Sequence, residues 1–202
     1  MFANGLGCAD SAIISEIRRL NVDRDKPFLV ALDGQSGVGK STLAMSVAAR
    51  VGGTVVESDD FYAGGTDAEW AQQSAKQKVQ TCINWRRLKA EALDPLLAGR
   101  NASWRPFDFA TGTGLAAHTV EREPRQVVVL DGVYSARPEL KSLADLAFLI
   151  EAPSERTRRQ RLIERQGKPF MDAWHALWDE PEEYYFNVVC PPGPFDLVIQ
   201  AE

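Results

Sequence analysis

Cysteine is scarce in this chain: Cys8, Cys82 and Cys190 are odd in number and far apart across 202 residues. Thiols so placed build neither a disulfide framework nor a zinc site, and they fit reduced thiols of a cytosolic protein. Histidine is scarcer still, since His118 and His175 each stand alone with no ligand spacing around them. No apolar run approaches the roughly 18–20 residues that a membrane span needs. The N-terminus lacks the basic-then-apolar pattern of a secretion signal. Positive charge is not in excess either: 28 Asp and Glu against 23 Lys and Arg leave a formal net charge of −5. That argues against a nucleic-acid-coating surface and makes any basic site local. Internal repeats and low-complexity tracts are missing. What remains, 45% hydrophobic and 25% charged residues, suits one globular domain over residues 1–202. The expected setting is cytoplasmic, with no membrane and no nucleic-acid partner; a homo-oligomer is allowed.

What is present is concentrated at Gly34-Gln35-Ser36-Gly37-Val38-Gly39-Lys40-Ser41-Thr42. The apolar run Phe28-Leu29-Val30-Ala31-Leu32 precedes it, and the apolar-periodic run 43–51 follows. The order is strand, glycine-rich turn, helix, with the spacing G-x-x-x-x-G-K-[ST]. Glycines let successive N–H groups point into one hollow, and the helix adds its positive end. Lys40 then reaches the β- and γ-phosphates and the Ser41 hydroxyl ligates Mg²⁺. The expected ligand is a nucleoside triphosphate, with ATP and Mg²⁺ as cofactors.

Around this loop the pattern alternates. Ala12, Ile13, Ile14, Ile17 and Leu20 share a helical face behind an N-cap at Asp10 or Ser11, and residues 1–9 read as a loose end. Gly52-Gly53 closes the helix after the loop. Thr54-Val55-Val56-Glu57-Ser58 reads as a second strand. Thr66 with Glu69 forms a capping box for a polar helix. A helix is predicted over 85–98, bent or shortened by Pro95, and 104–117 reads as a loop region near the site. Val127-Val128-Val129-Leu130, Ala147-Phe148-Leu149-Ile150 and Leu197-Val198-Ile199 are continuous apolar strands. Such strands alternating with helices predict a three-layer α/β domain with a parallel sheet covered on both faces.

Acidic residues at strand ends suggest the chemistry, because ligands gather at the carboxyl ends of the strands. Asp131 ends a four-residue apolar run, the usual form of the acid that shares Mg²⁺ with the loop serine. Asp59 and Asp60 end the second strand; if the strand persists, only one faces the site and can take the proton of an attacking hydroxyl. Arg158, Arg161 and Arg165 share one helical face, with Arg159 beside them, a set of guanidinium forks suited to phosphate oxygens. Gly167, Pro169 and the aromatics Phe170, Trp174, Trp178, Tyr184 and Tyr185 suggest a hinged flap packing back on the core.

These residues together resemble the uridine kinase family of P-loop kinases, with phosphoribulokinase and pantothenate kinase as relatives. The loop 34–42 is near the family form. Asp59-Asp60-Phe61-Tyr62 is similar to its D-x-F-Y segment, and Phe107-Asp108-Phe109 after Gly99-Arg100 to its Tyr-Asp-Phe segment. Asp131-Gly132 stands where the family has Glu-Gly, and the stretch through Arg165-Gln166-Gly167 resembles its lid. The resemblance implies a parallel five-stranded sheet of order 2-3-1-4-5, helices on both faces, and an Arg-rich lid at about 154–170. It implies transfer of the ATP γ-phosphoryl group to a hydroxyl of a nucleoside-like or other small metabolite, with Asp59 as catalytic base. Gly34, Ser36, Gly37, Val38, Gly39, Lys40, Ser41 and Thr42 would hold the nucleotide, and Ser41 and Asp131 the metal. Tyr62, Asn84, Trp104, Phe107 and Asp108 would join Asp59 around the acceptor, while Lys40, Arg158, Arg161 and Arg165 would serve the transferring phosphate. Phe107 and Gly112 stand where the family reads a pyrimidine with Tyr and His, so weak discrimination among bases follows. A nucleotide monophosphate kinase would need arginines such as Arg86, Arg87 and Arg105 in the acceptor pocket. A P-loop ATP-binding protein without acceptor chemistry is the other alternative. A GTPase would need an Asn-Lys-x-Asp guanine reader, which the sequence lacks.

Overall fold

The computed structural model of the chain describes residues 6–20 and 24–201, without the side chains of residues 6–8 and 169–171. Its centre is β1 (Phe28–Asp33), whose six residues are all buried. A strand buried on both faces carries a continuous apolar run, and Phe28 to Leu32 supply it. Five strands form one sheet: β2 (Thr54–Glu57), β5 (Val127–Asp131), β1, β6 (Leu146–Glu151) and β7 (Leu197–Gln200), hydrogen-bonded in that order. Every pairing among them is parallel. Counted along the chain, the order is 2-3-1-4-5, as the resemblance implied.

Side-chain alternation along the strands splits the core in two. Phe28, Val30 and Leu32 face α1 (Leu6–Leu20) and α2 (Lys40–Val51), where Ile13, Ile17, Leu43 and Val47 meet them. Leu29 and Ala31, with Val128 and Leu130, face the opposite layer. That layer comprises α3 (Asp67–Ala71), α4 (Ala75–Thr81), α5 (Trp85–Arg87) and α6 (Asp94–Leu97). After β6 come α7 (Glu155–Gln166) and α8 (Lys168–Tyr184).

Several local expectations change. Helix α1 begins at Leu6, so the loose end expected over 1–9 lies outside the described residues up to position 5 and is helical beyond it; Asp10 sits inside the helix and accepts from Ser46 Oγ at 2.7 Å. The helix predicted over 85–98 is interrupted by a π turn, Leu88–Leu93, and Pro95 starts α6. A proline belongs in a first helical turn, where no N–H partner is lost. Ala102–Trp104 (β3) and Val120–Arg122 (β4) pair antiparallel, closing the 104–117 loop with a two-stranded ribbon. The Thr66 capping box is formed, and a second one at Ser74 with Gln77 starts α4. The side chains of Cys8 and Phe170 lie outside the described residues.

One strand-end contact has a measurable consequence. Gly132, directly after β5, has φ 143°, and a Cβ there would fall inside the radius of Ser58 Oγ. Ser58 opens the 3-10 turn Ser58–Phe61 that carries Asp59. Gly132→Ala therefore has to displace that turn. It is expected to cost about 1–3 kcal/mol of overpacking, read as a lower denaturant midpoint, together with a loss of kcat that exceeds any loss of ATP affinity.

Candidate active site

The phosphate loop joins the carboxyl end of β1 to the N-terminus of α2, and its shape depends on three glycines with positive φ: Gly34, Gly37 and Gly39. Gly34 backs directly onto the Ile150 carbonyl of β6, leaving no room for a side chain. The preceding carboxylate, Asp33, is fully buried and anchors the whole strand end. It accepts from the N–H groups of Gly34 at 2.8 Å, Tyr134 at 2.9 Å and Ala136 at 2.8 Å, and from Tyr185 Oη at 2.7 Å. Four donors on one carboxylate satisfy its lone pairs where water cannot reach. They also hold Tyr134 in a left-handed conformation at φ 69°.

Ser36, Gly37, Gly39, Lys40, Ser41 and Thr42 line a cavity of about 300 Å³. Gly34 and Val38, expected to hold nucleotide, do not line it. Gly34 fixes the turn, and Val38 turns its side chain into the core while its carbonyl accepts from Arg161 Nη1 at 2.9 Å. Lys40 is buried, its Nζ donating to the Gln35 carbonyl at 2.8 Å. Across the cavity stand Glu57, Asp59 and Asp131. Glu57 and Asp131 are paired in register at the ends of β2 and β5. Burial raises the carboxyl of each of the three above its usual value, and Lys40 opposes this at Asp59 and Asp131. Like charges converging on one cavity with a single nearby ammonium favour a further cation. Asp131 Oδ1 is buried with no hydrogen-bond partner, and Ser41 beside the same side chain opposes the upward shift of its carboxyl. A hard oxygen donor left unpaired beside the loop serine fits Mg²⁺.

The two adjacent aspartates divide their work because the chain leaves the sheet at Ser58. Asp60 turns away from the cavity and accepts from Trp104 Nε1 at 2.8 Å. Asp59 faces it, and also lines a second cavity of about 440 Å³. The two cavities share Ser36, Asp59, Val133, Leu162 and Arg165. The second is walled by Tyr62, Phe107, Phe109, Trp174 and Trp178, with Gly112 at its rim. Tyr62 meets Phe107 edge-on at 4.9 Å between centroids and stacks on Phe109 at 5.8 Å. Burial pushes its phenol up to about 12, so it is neutral and able to donate.

Three residues expected around the acceptor are elsewhere. Trp104 is buried against Phe61, with centroids 5.5 Å apart, and acts only through Asp60. Asn84 caps α5 by accepting from the Arg87 N–H at 3.1 Å. Asp108 caps its own turn, accepting from the N–H groups of Ala110 and Thr111. A short polar side chain before a turn is drawn to nearby backbone donors, which makes it ambiguous in sequence.

The arginines of α7 separate in the same way. Arg165 lines both cavities, and Arg161 lines the first. Arg158 faces neither. It is buried and bonded to Glu155 at 2.7 and 2.8 Å, to Asp179 at 3.4 Å and to the Ser36 carbonyl at 3.2 Å. Those hydrogen bonds from Arg158 pull the Glu155 carboxyl down to about 2. Arg158 ties α7 to the loop and has no free edge for a phosphate.

The family model described as RNA helicase matches residues 30–99, the stretch that holds the phosphate loop and α2. The uridine kinase of Deinococcus deserti is 29% identical over 187 residues, covering 83% of this chain and 89% of the relative. The uridine kinase of Halobacterium salinarum is 26% identical over 190 residues, covering 85% and 83%. A solved structure described as a possible uridine kinase from Bacillus stearothermophilus superposes with a TM-score of 0.73 at 16% identity, covering 96% of this chain and 98% of that one. The chain is similar to uridine kinases over most of its length and shares the fold of the Bacillus stearothermophilus protein.

At this site the sequence pattern leaves unmarked four residues that the geometry makes prominent. Glu57 reads in the sequence as part of the second strand, although it ends β2 as Asp131 ends β5. Asp33 precedes the glycine loop and carries no motif letter. Trp178 reads in the sequence as part of a flap packing on the core, yet it lines the second cavity. Glu182, one of a run of acidic residues on α8, is almost fully buried and lines the same cavity. Glu57 and Asp33 had a signal available, their place at a strand's carboxyl end.

Proposed function

We propose that this kinase transfers the γ-phosphoryl group of ATP to a hydroxyl of a nucleoside-like or other small metabolite. The carrying observation is Asp59, a carboxylate on the wall shared by the loop cavity and the aromatic cavity. A group in that position touches both a terminal phosphate and a bound alcohol. The loop amides and Lys40 hold the phosphates. Ser41 and Asp131 would hold Mg²⁺, which when bound neutralises the oxygens of the β- and γ-phosphates. Asp59 accepts the hydroxyl proton as the new O–P bond forms, and ADP departs with the electrons of the broken bond. Burial, by raising its pKa, brings this base nearer to the operating pH. Arg165, and Arg161 on the loop side, face the spreading charge of the transferring group, and α7 is the lid.

The monophosphate-kinase alternative needs cations in the second cavity. Arg86 instead lies over the Trp85 ring at 4.3 Å, Arg87 pairs with Glu91, and Arg105 donates to the carbonyls of Ala116 and Leu115. None of the three lines it. The discriminating experiment measures ADP release from magnesium-ATP across nucleosides, sugars, pantothenate and small alcohols. Acceptor-dependent release is expected, with uridine and cytidine differing by less than about tenfold, since Phe107 and Gly112 offer no side-chain hydrogen bond to a base. Release that is the same with and without every acceptor would refute phosphoryl transfer. Strong selectivity for uridine would refute the reading of those two positions.

A further inference from the structure

The buried acid on α8 has an unusual partner. Both oxygens of Glu182 reach the phosphate loop: the Ser36 N–H donates to them at 3.1 and 3.3 Å, and Ser36 Oγ donates to Oε1 at 2.6 Å. Glu182 is 2% exposed, and its closest cationic partner is Arg158, Nη1 to Oε2 3.8 Å. Arg158 in turn donates to the Ser36 carbonyl. Ser36 is therefore gripped on its amide and hydroxyl from α8 and on its carbonyl from α7. Amides of such a loop exist to receive phosphate oxygens. Here a carboxylate occupies one of them, and the same side chain lines the acceptor cavity opposite Asp59.

We propose that Glu182 is a positioning residue that withholds the Ser36 end of the phosphate loop until the acceptor cavity is filled. The proposal rests on the kinase reading above. A triphosphate entering the loop brings negative charge beside a buried carboxylate, which disfavours both. An acceptor hydroxyl or amine that hydrogen-bonds Glu182 draws it off Ser36 and frees the amide for the terminal phosphate. Acceptor and ATP then favour the same arrangement, and transfer to water in the absence of acceptor stays slow.

Glu182→Gln keeps the shape and removes the charge. Two quantities are measured without acceptor: the affinity for ATP, and the rate at which magnesium-ATP is hydrolysed to ADP and phosphate. Both are expected to rise about tenfold, the effect of removing one like charge close to the phosphates. A merely structural role would lower them. Ser36→Ala breaks the 2.6 Å bond from the loop side. It is expected to raise hydrolysis about threefold, the range of one hydrogen bond, and to shrink the effect of Glu182→Gln when the two are combined. This second variant keeps the test open should the first fail to fold. Hydrolysis that is unchanged or reduced in the variants would overturn the proposal while ATP binding by the parent stands. Absence of ATP binding by the parent itself would instead overturn the kinase reading.

Discussion

Lys40→Ala is expected to lower acceptor-dependent turnover of magnesium-ATP by at least about 10³-fold, the effect of removing a preorganised charge from a transferring group. The reason lies in the surroundings of the ammonium. Lys40 is buried, held by one carbonyl of its own loop, and faces Glu57, Asp59 and Asp131 across the cavity. It is the one cation opposing the raised pKa at both Asp59 and Asp131. Without it, the carboxyls shift further towards their protonated forms, so the proposed base and the proposed metal ligand weaken along with the phosphate grip. Steady-state kinetics with a thermal melt to verify folding measures this. A folded Lys40→Ala protein retaining parental kcat would remove the loop from the catalytic account.

Asp59→Asn is expected to reduce kcat by about 10²–10⁴-fold with ATP affinity changed by less than about threefold. The amide is nearly isosteric with the carboxylate and cannot accept the hydroxyl proton. Its position on the wall shared with the aromatic cavity leaves the loop amides and Lys40 in place, so binding of nucleotide is expected to lose little. A loss in kcat and kcat/KM together identifies an interaction made in the transition state. If only KM for the acceptor rose, Asp59 would be a binding residue and not the base.

The sheet was legible because parallel strands buried on both faces carry unbroken apolar runs. Phe28 to Leu32, Val127 to Leu130 and Ala147 to Ile150 announce themselves without any long-range information. The phosphate loop was legible for a related reason, since its backbone curl demands glycines at set positions. The acceptor side was not. Asn84, Trp104 and Asp108 carry donors or acceptors suited to a substrate, but each is consumed by a partner that only folding supplies: a helix end, Asp60, and a turn. Arg158 shows the same for charge. Its spacing with Arg161 and Arg165 is helical, yet its side chain is committed to Glu155, Asp179 and the Ser36 carbonyl. Glu182 could not be found from sequence at all, because its partner lies 146 residues away. Helical periodicity says which residues share a face, not which of them face a cavity.

The most direct measurement is mass-spectrometric detection of a phosphorylated small molecule after parent and Asp59→Asn proteins are each incubated with magnesium-ATP and a pool of nucleosides, sugars and small alcohols. One class of acceptor gaining a single phosphoryl group with the parent, and little or none with Asp59→Asn, is the predicted result. Equal product from both proteins, or ATP consumed by the parent solely to free phosphate, would contradict the assignment of Asp59 to the shared wall of a catalytic site.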